Sequence, residues 1–235
     1  MKRFWDSAAI APADGGWRVT LDGKPMRVPG GAPLTLPTEP LARAVAAEWQ
    51  AAGGAKGGET SYTDLPLTRI TGTGQERIAP DPEPVILELA RYGESDLLCY
   101  RAEQPEALAQ RQHAGWQPWL DWAARRHAAP LLVTTGITHV AQPSDSLAAL
   151  AAAVAEYDAL ALAALGVAVP ALGSLVLGLA LAEAALDAPT AHVLATIDET
   201  FQEQLWGTDP EVQARRARVA EEVAVAARFL ALLRP

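Results

Sequence analysis

Pro80-Asp81-Pro82-Glu83-Pro84 is the stretch that decides how this sequence is organised. Alternating prolines hold the chain extended and prevent a helix from running through them, so we place a domain boundary here. Strand and helix patterns are mixed before the boundary, and long helical patterns dominate after it. The sequence therefore predicts an α+β protein with a small mixed α/β N-terminal domain, residues 1–80, and a mainly α-helical C-terminal domain, residues 81–235.

The N-terminal part carries a β-hairpin pattern. Residues 16–21 and 24–28 have the composition of two short strands, and the Asp22-Gly23 dipeptide between them favours the positive φ angles of a two-residue turn. Leu34-Thr35-Leu36 alternates in the manner of a further short strand. We therefore expect a small β-sheet ahead of the first helix.

The same part carries one clear helix pattern. Thr38-Glu39-Pro40 has the composition of a helix start, and Leu41 and Val45 follow it at helical spacing. This helix is expected to end before the glycines that begin at Gly53. Gly72-Thr73-Gly74 is interpreted as a turn, because glycine favours turn conformations.

The C-terminal part is helical in pattern along most of its length. A short strand is expected at Leu131-Leu132-Val133-Thr134. Asp209-Pro210-Glu211 marks the clearest helix start, since it combines a capping side chain, a proline in the first turn and an acid at the positive end of the helix dipole. The predicted helices lie at residues 84–93, 105–128, 145–166, 172–186, 189–206 and 210–233.

Ala159–Ala182 is a run of 24 residues without a charge. About 20 apolar residues are enough to span a bilayer, so a membrane helix is one interpretation. Glycines and Pro170 interrupt the run, and acidic residues flank it where a membrane span would carry basic ones. We therefore expect two buried core helices that meet at a turn near residues 167–170.

Charge is unevenly distributed between the two parts. The chain has 28 acidic and 19 basic residues, but residues 1–80 carry a net charge of +1 and residues 81–235 a net charge of −10. A nucleic-acid site needs clustered cations, and a helix lying on an anionic membrane needs a basic face. We therefore expect neither nucleic acid nor membrane insertion, while recognition of a basic protein partner stays open.

Motifs for catalysis and cofactor binding are missing. The sequence has no glycine-rich loop ending in Gly-Lys-Ser/Thr, which would hold the phosphates of a nucleotide. Its four histidines lack the spacing with a carboxylate that a helical zinc site requires. Cys99 is the single cysteine of the sequence and is interpreted as a buried, unreactive thiol. A single cysteine cannot form a disulfide within the chain, which fits a reducing compartment. We therefore expect no cofactor and no metal.

Residues 198–207 combine acidic and aromatic side chains. On a helix, Glu199, Glu203 and Trp206 fall at positions i, i+4 and i+7 and share one face. Recognition surfaces use an aromatic anchor together with charges, so this face is a candidate for partner binding. A solvated helix face is the alternative. The segment Arg91–Arg101 is interpreted as a helix end and turn held by arginine–carboxylate pairs, and a binding role for Tyr92–Arg101 stays open. The tryptophans of residues 116–122 are interpreted as a stripe of the core.

Several motifs, in the same order along the chain, resemble those of the assembly chaperones of the F-type ATP synthase catalytic head. The family includes the mitochondrial assembly factor that attends the alpha subunit. The matching motifs are Arg3-Phe4-Trp5, residues 19–25, Glu48-Trp49, Pro66-Leu67-Thr68-Arg69, residues 92–101, residues 116–122, Gly173-Ser174 and residues 198–207.

The resemblance implies a chaperone that is not an enzyme. It would bind the free alpha subunit and shield the interface destined for the beta subunit until beta takes its place. Glu199, Glu203, Trp206 and Asp209 are the implied binding residues, and Trp49 is implied to serve either folding or binding. The start of the sequence has neither a secretory signal nor a transit-peptide composition, so the resemblance implies a bacterial member in the cytoplasm, which we expect to be a monomer.

Two other classes of protein remain as alternatives. An enzyme with a helical small-molecule pocket would use Glu199 and Glu203 as acid and base, and it would require both to converge in a deep cleft. A membrane protein built on Ala159–Ala182 would require detergent for solubility.

Overall fold

The structure, a computed structural model, describes residues 1–234. Within that range the chain forms ten α-helices and six short strands, which confirms the predicted α+β class with a mainly helical C-terminal part. The strands are β1 (Ala8–Ala13), β2 (Gly16–Leu21), β3 (Lys24–Pro25), β4 (Thr35–Leu36), β5 (Tyr100–Arg101) and β6 (Thr134–Thr135). The helices are α1 (Glu39–Ala51), α2 (Pro66–Thr73), α3 (Glu83–Arg91), α4 (Glu106–His127), α5 (Ser144–Ala155), α6 (Ala159–Leu172), α7 (Leu175–Ala182), α8 (Ala188–Ala195), α9 (Ile197–Trp206) and α10 (Pro210–Leu233).

The chain divides into two compact units. Unit 1 contains Met1–Pro82, Ala159–Ala164 and the chain from Arg228 onward, and unit 2 contains Glu83–Asp158 and Leu165–Ala227. The first passage from unit 1 to unit 2 lies within the proline-rich stretch at residues 80–84. The two short pieces that unit 1 takes from later in the sequence carry no pattern that distinguishes them from their neighbours. The division into domains at residues 1–80 and 81–235 stays a prediction.

Unit 1 contains a four-stranded sheet. β2 pairs antiparallel with β1 on one side and with β3 and β4 on the other. The hairpin predicted around Asp22-Gly23 is confirmed, with both turn residues at positive φ, but its second strand ends at Pro25 and not at residue 28. β1 was not predicted, because its sequence Ala-Ala-Ile-Ala-Pro-Ala shows no alternation of polar and apolar residues.

Helix α1 is confirmed as predicted. The Thr38 hydroxyl caps it by accepting from the N–H of Leu41, and the helix ends at Ala51, before Gly53. The turn predicted at Gly72-Thr73-Gly74 is wrong, because α2 runs to Thr73 and a π-helical turn follows at Gly74–Ile78. Glycine serves packing at this point: a Cβ on Gly74 would lie 2.8 Å from a methyl group of Leu160.

The uncharged run forms α6 and α7, but the chain turns later than predicted. Pro170 lies inside α6, near its end, so the hydrogen bond that a proline forfeits is lost in the last turn of the helix. The turn is at Gly173, whose φ of 62° is the left-handed conformation that commonly ends a helix. Ser174 then caps α7, and every residue of α7 is buried. No helix among residues 1–234 is both long enough and apolar enough to cross a bilayer.

Two further predicted helices are each divided in two. The helix predicted at residues 145–166 is interrupted after Ala155 and continues as α6 from Ala159. The helix predicted at residues 189–206 is interrupted at Thr196, whose hydroxyl donates to the C=O of His192 and competes with the helical bonding pattern. The strand predicted at residues 131–134 is wrong except at Thr134: residues 131–133 are not in a strand, and β6 (Thr134–Thr135) pairs in parallel with β5.

Candidate protein-binding site

Four of the five predicted site residues lie close together in the sequence of unit 2. Glu199, Glu203 and Trp206 belong to α9, and Asp209 lies in the short link to α10. Trp49 lies on α1, in unit 1. The candidate surface of unit 2 is therefore built by α9, and the helices packed around it determine what each side chain can do.

Glu199 forms an exposed ion pair. Its Oε1 lies 2.9 Å from Nη2 of Arg215 on α10, and 40% of its side chain is exposed. Exposed pairs of this kind contribute between about 0 and 1 kcal/mol to stability. The carboxylate can therefore exchange Arg215 for a cation of another protein at little cost.

Glu203, one turn further along α9, forms a much less exposed pair. Its Oε2 lies 2.8 Å from Nη1 of Arg216, and the two side chains are 13% and 19% exposed. Nε2 of His192 on α8 lies 3.2 Å from the backbone C=O of Arg216. The pair joins α9 to α10 and has little access to another molecule.

The C-terminal end of α9 exposes two large apolar side chains. Trp206 is 78% exposed, and the adjacent Leu205 is exposed as well. Gly207, with a φ of 89°, ends the helix directly after them. Exposed large apolar groups mark interaction sites, and tryptophan is among the residues that most often carry binding energy. The end of α9 is therefore a candidate for protein recognition.

Asp209 has a local structural role. Its Oδ1 accepts from the N–H of Glu211 at 2.8 Å, and its C=O accepts from the N–H of Gln213. It is the N-terminal cap of α10, as the Asp-Pro-Glu pattern predicted. Its carboxylate is thereby committed to the helix end, although the residue is exposed.

Contacts with α4 fix the position of α9. Nε2 of Gln112 donates to Oδ1 of Asp198 at 2.6 Å, and Gln112 is buried. Arg111 donates to Oε1 of Gln204 at 3.1 Å, and its guanidinium lies 5.2 Å from the centre of the Phe201 ring. The sequence did not indicate Gln112 or Arg111, because their partners lie more than 80 residues further along the chain.

Trp49 lies in the core of unit 1. Its indole N–H donates to Oγ1 of Thr68 at 2.9 Å, and its own C=O accepts from the indole N–H of Trp5. The side chain is buried, and its ring centre lies 4.9 Å from that of Trp5. Of the two roles considered for Trp49, this position favours folding.

Comparison with known proteins identifies the family. A sequence model described as ATP12 chaperone protein matches residues 2–124, which is more than half of the chain. The chain belongs to the ATP12 chaperone family. Solved structures of Atp12 match it over nearly its whole length.

Solved structures agree in fold and in sequence. Atp12 from Paracoccus denitrificans is 45% identical, with a TM-score of 0.92, and the match covers 99% of this chain and 98% of that one. A mutant of the same Atp12p gives 44% identity, a TM-score of 0.93 and the same coverage. The Atu1473 protein from Agrobacterium tumefaciens is 37% identical, with a TM-score of 0.92, covering 99% of this chain and 86% of that one. The chain is therefore a chaperone of ATP synthase assembly, and its partner is a protein of the ATP synthase.

Two of the motifs on which the resemblance was based meet in unit 1. Glu48 accepts from the N–H groups of Leu67 and Thr68, at 2.7 and 3.0 Å, and so caps the first turn of α2. Burial raises the pKa of the Glu48 carboxyl, and these two N–H groups act in the opposite direction. Trp49 binds the hydroxyl of the same Thr68. The Glu-Trp motif therefore holds the Pro-Leu-Thr-Arg motif in place.

Two further motifs of that resemblance meet in unit 2. Asp96 is fully buried, and its carboxylate accepts from the N–H of Leu98 and from the N–H of Val176 in the first turn of α7, both at 3.0 Å. The N–H of Leu97 donates to the C=O of Gly173. The carboxylate thus binds backbone amides, where an arginine partner was expected. These contacts of the Tyr92–Arg101 segment set the start of α7 and favour a structural role.

Arg101 and Cys99 complete this structural segment. Arg101 donates to the C=O of Gln112 at 2.6 Å, and its guanidinium lies 5.2 Å from the centre of the buried Trp116 ring. Burial raises the pKa of the Cys99 thiol to about 12, and the neighbouring Asp96 adds to the effect. The thiol is therefore protonated at neutral pH and is a poor nucleophile.

Asp96 gives a prediction for the pH dependence of stability. Burial raises the pKa of its carboxyl to about 6, although the N–H groups of Val176 and Leu98 favour the charged form. Because the pKa in the folded protein lies above that of the unfolded chain, this group stabilises the fold most at low pH, and the contribution is lost as the pH rises through about 6. In urea unfolding, the unfolding free energy of the unmodified protein relative to that of Asp96→Asn is expected to fall by on the order of 1 kcal/mol per pH unit from pH 4 to pH 6, and to level off above that. Parallel curves for the two proteins would show that Asp96 does not titrate in this range.

Proposed function

We propose that this chaperone binds the free alpha subunit of the ATP synthase through the exposed end of α9 and shields the beta-facing interface of alpha until the subunits exchange. The observation that carries the proposal is Trp206, which stands 78% exposed beside Leu205 on a helix that unit 2 holds firmly. A monomer acting in the bacterial cytoplasm, without enzymatic activity, is part of the same proposal.

The candidate residues take different parts in this binding. Trp206 is the apolar anchor, and Glu199 supplies a charge that can leave Arg215 for a basic group of alpha. Glu203 and Asp209 hold the helices that present Trp206. Glu203 joins α9 to α10, and Asp209 caps α10. Trp49 contributes through the folding of unit 1.

Exchange requires no energy source in this scheme. An exposed subunit interface is apolar and prone to aggregation, so covering it protects the free subunit. A chaperone that binds with modest affinity is displaced by mass action when the permanent partner subunit binds the same surface more tightly.

Reconstitution with purified components tests the proposal. The chaperone is mixed with purified alpha subunit, complex formation is followed by size-exclusion chromatography with light scattering, and purified beta subunit is then added. We expect a complex of one chaperone and one alpha that releases the chaperone when beta binds. Failure of the folded chaperone to bind alpha, or binding that beta does not reverse, would overturn the proposal.

Trp206→Ala separates recognition from folding. Loss of a tryptophan anchor costs about 2 kcal/mol of binding or more, so we expect the Kd for alpha to rise roughly 30-fold. The midpoint of urea unfolding should stay unchanged, since the side chain is mostly exposed. Ile137→Ala is the matched control, because Ile137 is also highly exposed in unit 2 but lies after β6. Equal losses of affinity in the two variants would contradict a specific role for α9.

A further inference from the structure

β1 is an open edge of the sheet in unit 1. β2 pairs with one side of β1, and no strand among residues 1–234 pairs with its other side. An unpaired edge presents backbone N–H and C=O groups that can bind an added strand from another chain.

The hydrogen-bond register shows which backbone groups face this edge. The N–H of Asp22, next to β2, donates to the C=O of Ser7, next to β1. Pairing alternates along an antiparallel ladder, so residues 9 and 11 bond to β2 while residues 8, 10 and 12 face outward. Ala8 agrees with this direction, since its N–H donates to the side chain of Gln50 on α1.

The outward groups of β1 are mainly acceptors. Ile10 presents an N–H and a C=O, Ala8 presents a C=O, and Pro12 presents a C=O but has no N–H. Three acceptors and one donor are therefore available to a strand lying along this edge.

A groove of about 730 Å³ runs beside the edge, between β1 and α1. Small side chains of α1, Ala46, Ala47 and Ala51, line it together with residues of β1. Arg43, its one charged lining residue among those of the described chain, is already paired with Glu39. The groove therefore has room for side chains of an added strand and offers no uncompensated charge, which fits an uncharged, apolar segment.

The side-chain amide of Gln50 already makes two hydrogen bonds to the backbone at one end of the edge. Its Oε1 accepts from the N–H of Ala8 at 2.7 Å, and its Nε2 donates to the C=O of Asp6 at 3.3 Å. One residue of a parallel strand would make the same two bonds, accepting from one residue of β1 and donating to the residue two positions earlier. The Gln50 amide therefore satisfies outward backbone groups of Asp6 and Ala8 in the way that a residue of an added strand would.

We propose that β1 binds an extended, proline-free, apolar segment of the alpha subunit as an added strand, with its inward side chains in the groove on α1. This deepens the proposed function and rests on it, because the same client is bound. It assigns unit 1 a direct part in binding, through backbone bonds that tolerate variation in the client sequence.

A second copy of this chain fits the edge less well. If two β1 strands paired antiparallel about Ile10, Ala8 of one copy would lie opposite Pro12 of the other. Pro12 has no N–H, so the C=O of Ala8 would have no donor. A proline-free segment of another protein can donate to all three C=O groups and also accept from Ile10.

Amide exchange and one backbone variant test the proposal. Deuterium exchange at the Ile10 amide is measured by mass spectrometry, with electron-transfer fragmentation, in the free chaperone and in its complex with purified alpha subunit. We expect exchange at Ile10 to slow at least tenfold in the complex. Ile10→Pro removes the outward N–H without removing a bond of the sheet, and it should raise the Kd for alpha about tenfold, whereas Ile10→Val should leave the Kd unchanged.

A second variant tests the proposal independently, in case Ile10→Pro does not fold. Ala47→Gln places a longer side chain in the groove from an exposed position of α1, and Ala107→Gln makes the same change at an exposed position of α4. We expect a tenfold higher Kd for the first variant alone. A complex that forms without protection of Ile10 and without an effect of Ala47→Gln would overturn strand addition and leave the proposed function standing. Absence of any complex with alpha would overturn both.

Discussion

Replacing Trp49 with alanine is expected to lower the free energy of unfolding by about 4 kcal/mol, the usual cost of removing a large aromatic side chain from a core. The side chain is buried against Trp5, and its indole N–H is bonded to Thr68. The change leaves a cavity and removes the donor to the first turn of α2. Urea unfolding of the variant, followed by circular dichroism, measures the effect.

Two comparisons show whether the loss arises from packing. Trp49→Phe keeps a ring but loses the bond to Thr68, so it should cost about 1–2 kcal/mol. Trp206→Ala removes the same side chain from an exposed site and should cost almost nothing. A Trp49→Ala variant of unchanged stability that bound alpha poorly would instead make Trp49 a contact residue.

Charge reversal by Glu203→Lys is expected to lower the free energy of unfolding by about 3 kcal/mol, because it breaks a largely buried ion pair and leaves Arg216 beside a second cation. Since the pair joins α9 to α10, binding of alpha should weaken together with stability. Thermal unfolding and the Kd for alpha, measured on the same preparation, test this coupling.

Two variants serve as controls for Glu203→Lys. Glu199→Lys reverses the charge of the more exposed pair with Arg215 and should change stability by no more than about 1 kcal/mol. The double variant Glu203→Lys with Arg216→Glu restores an ion pair of opposite polarity and should recover a substantial part of the stability. If Glu203→Lys weakened binding with no loss of stability, Glu203 would be a contact residue and not a support for α9.

The sequence predicted the long elements well, for identifiable physical reasons. Helix α4 was predicted within one residue at each end, and α10 from its Asp209 cap to its last turn, because periodicity over more than 20 residues and a clear capping pattern determine such helices. Short elements depend on tertiary contacts. β1 has no alternating pattern, and the interruption at Thr196 arises from a hydroxyl bond that the helical period does not reveal.

The helix that carries the candidate residues was predictable, but the surroundings of each side chain were not. Helical spacing correctly placed Glu199, Glu203 and Trp206 on one short helix. Spacing does not determine burial, which depends on α10: Arg216 covers Glu203, while Trp206 stays exposed. Trp49 lacked any local signal of its hydrogen bond to Thr68, because its partner lies 19 residues away.

The burial of α7 has a consequence for the biosynthesis of this chaperone. All eight residues of α7 are enclosed, and Val223 and Ala226 of α10 belong to the same core as Val176 and Leu177 of α7. That core stays incomplete while α10 is still inside the ribosome, so the nascent chain carries an exposed apolar helix for the time needed to synthesise about 45 more residues. A chaperone of subunit assembly therefore passes through an aggregation-prone state itself, and chains interrupted before α10 are expected to accumulate in the insoluble fraction.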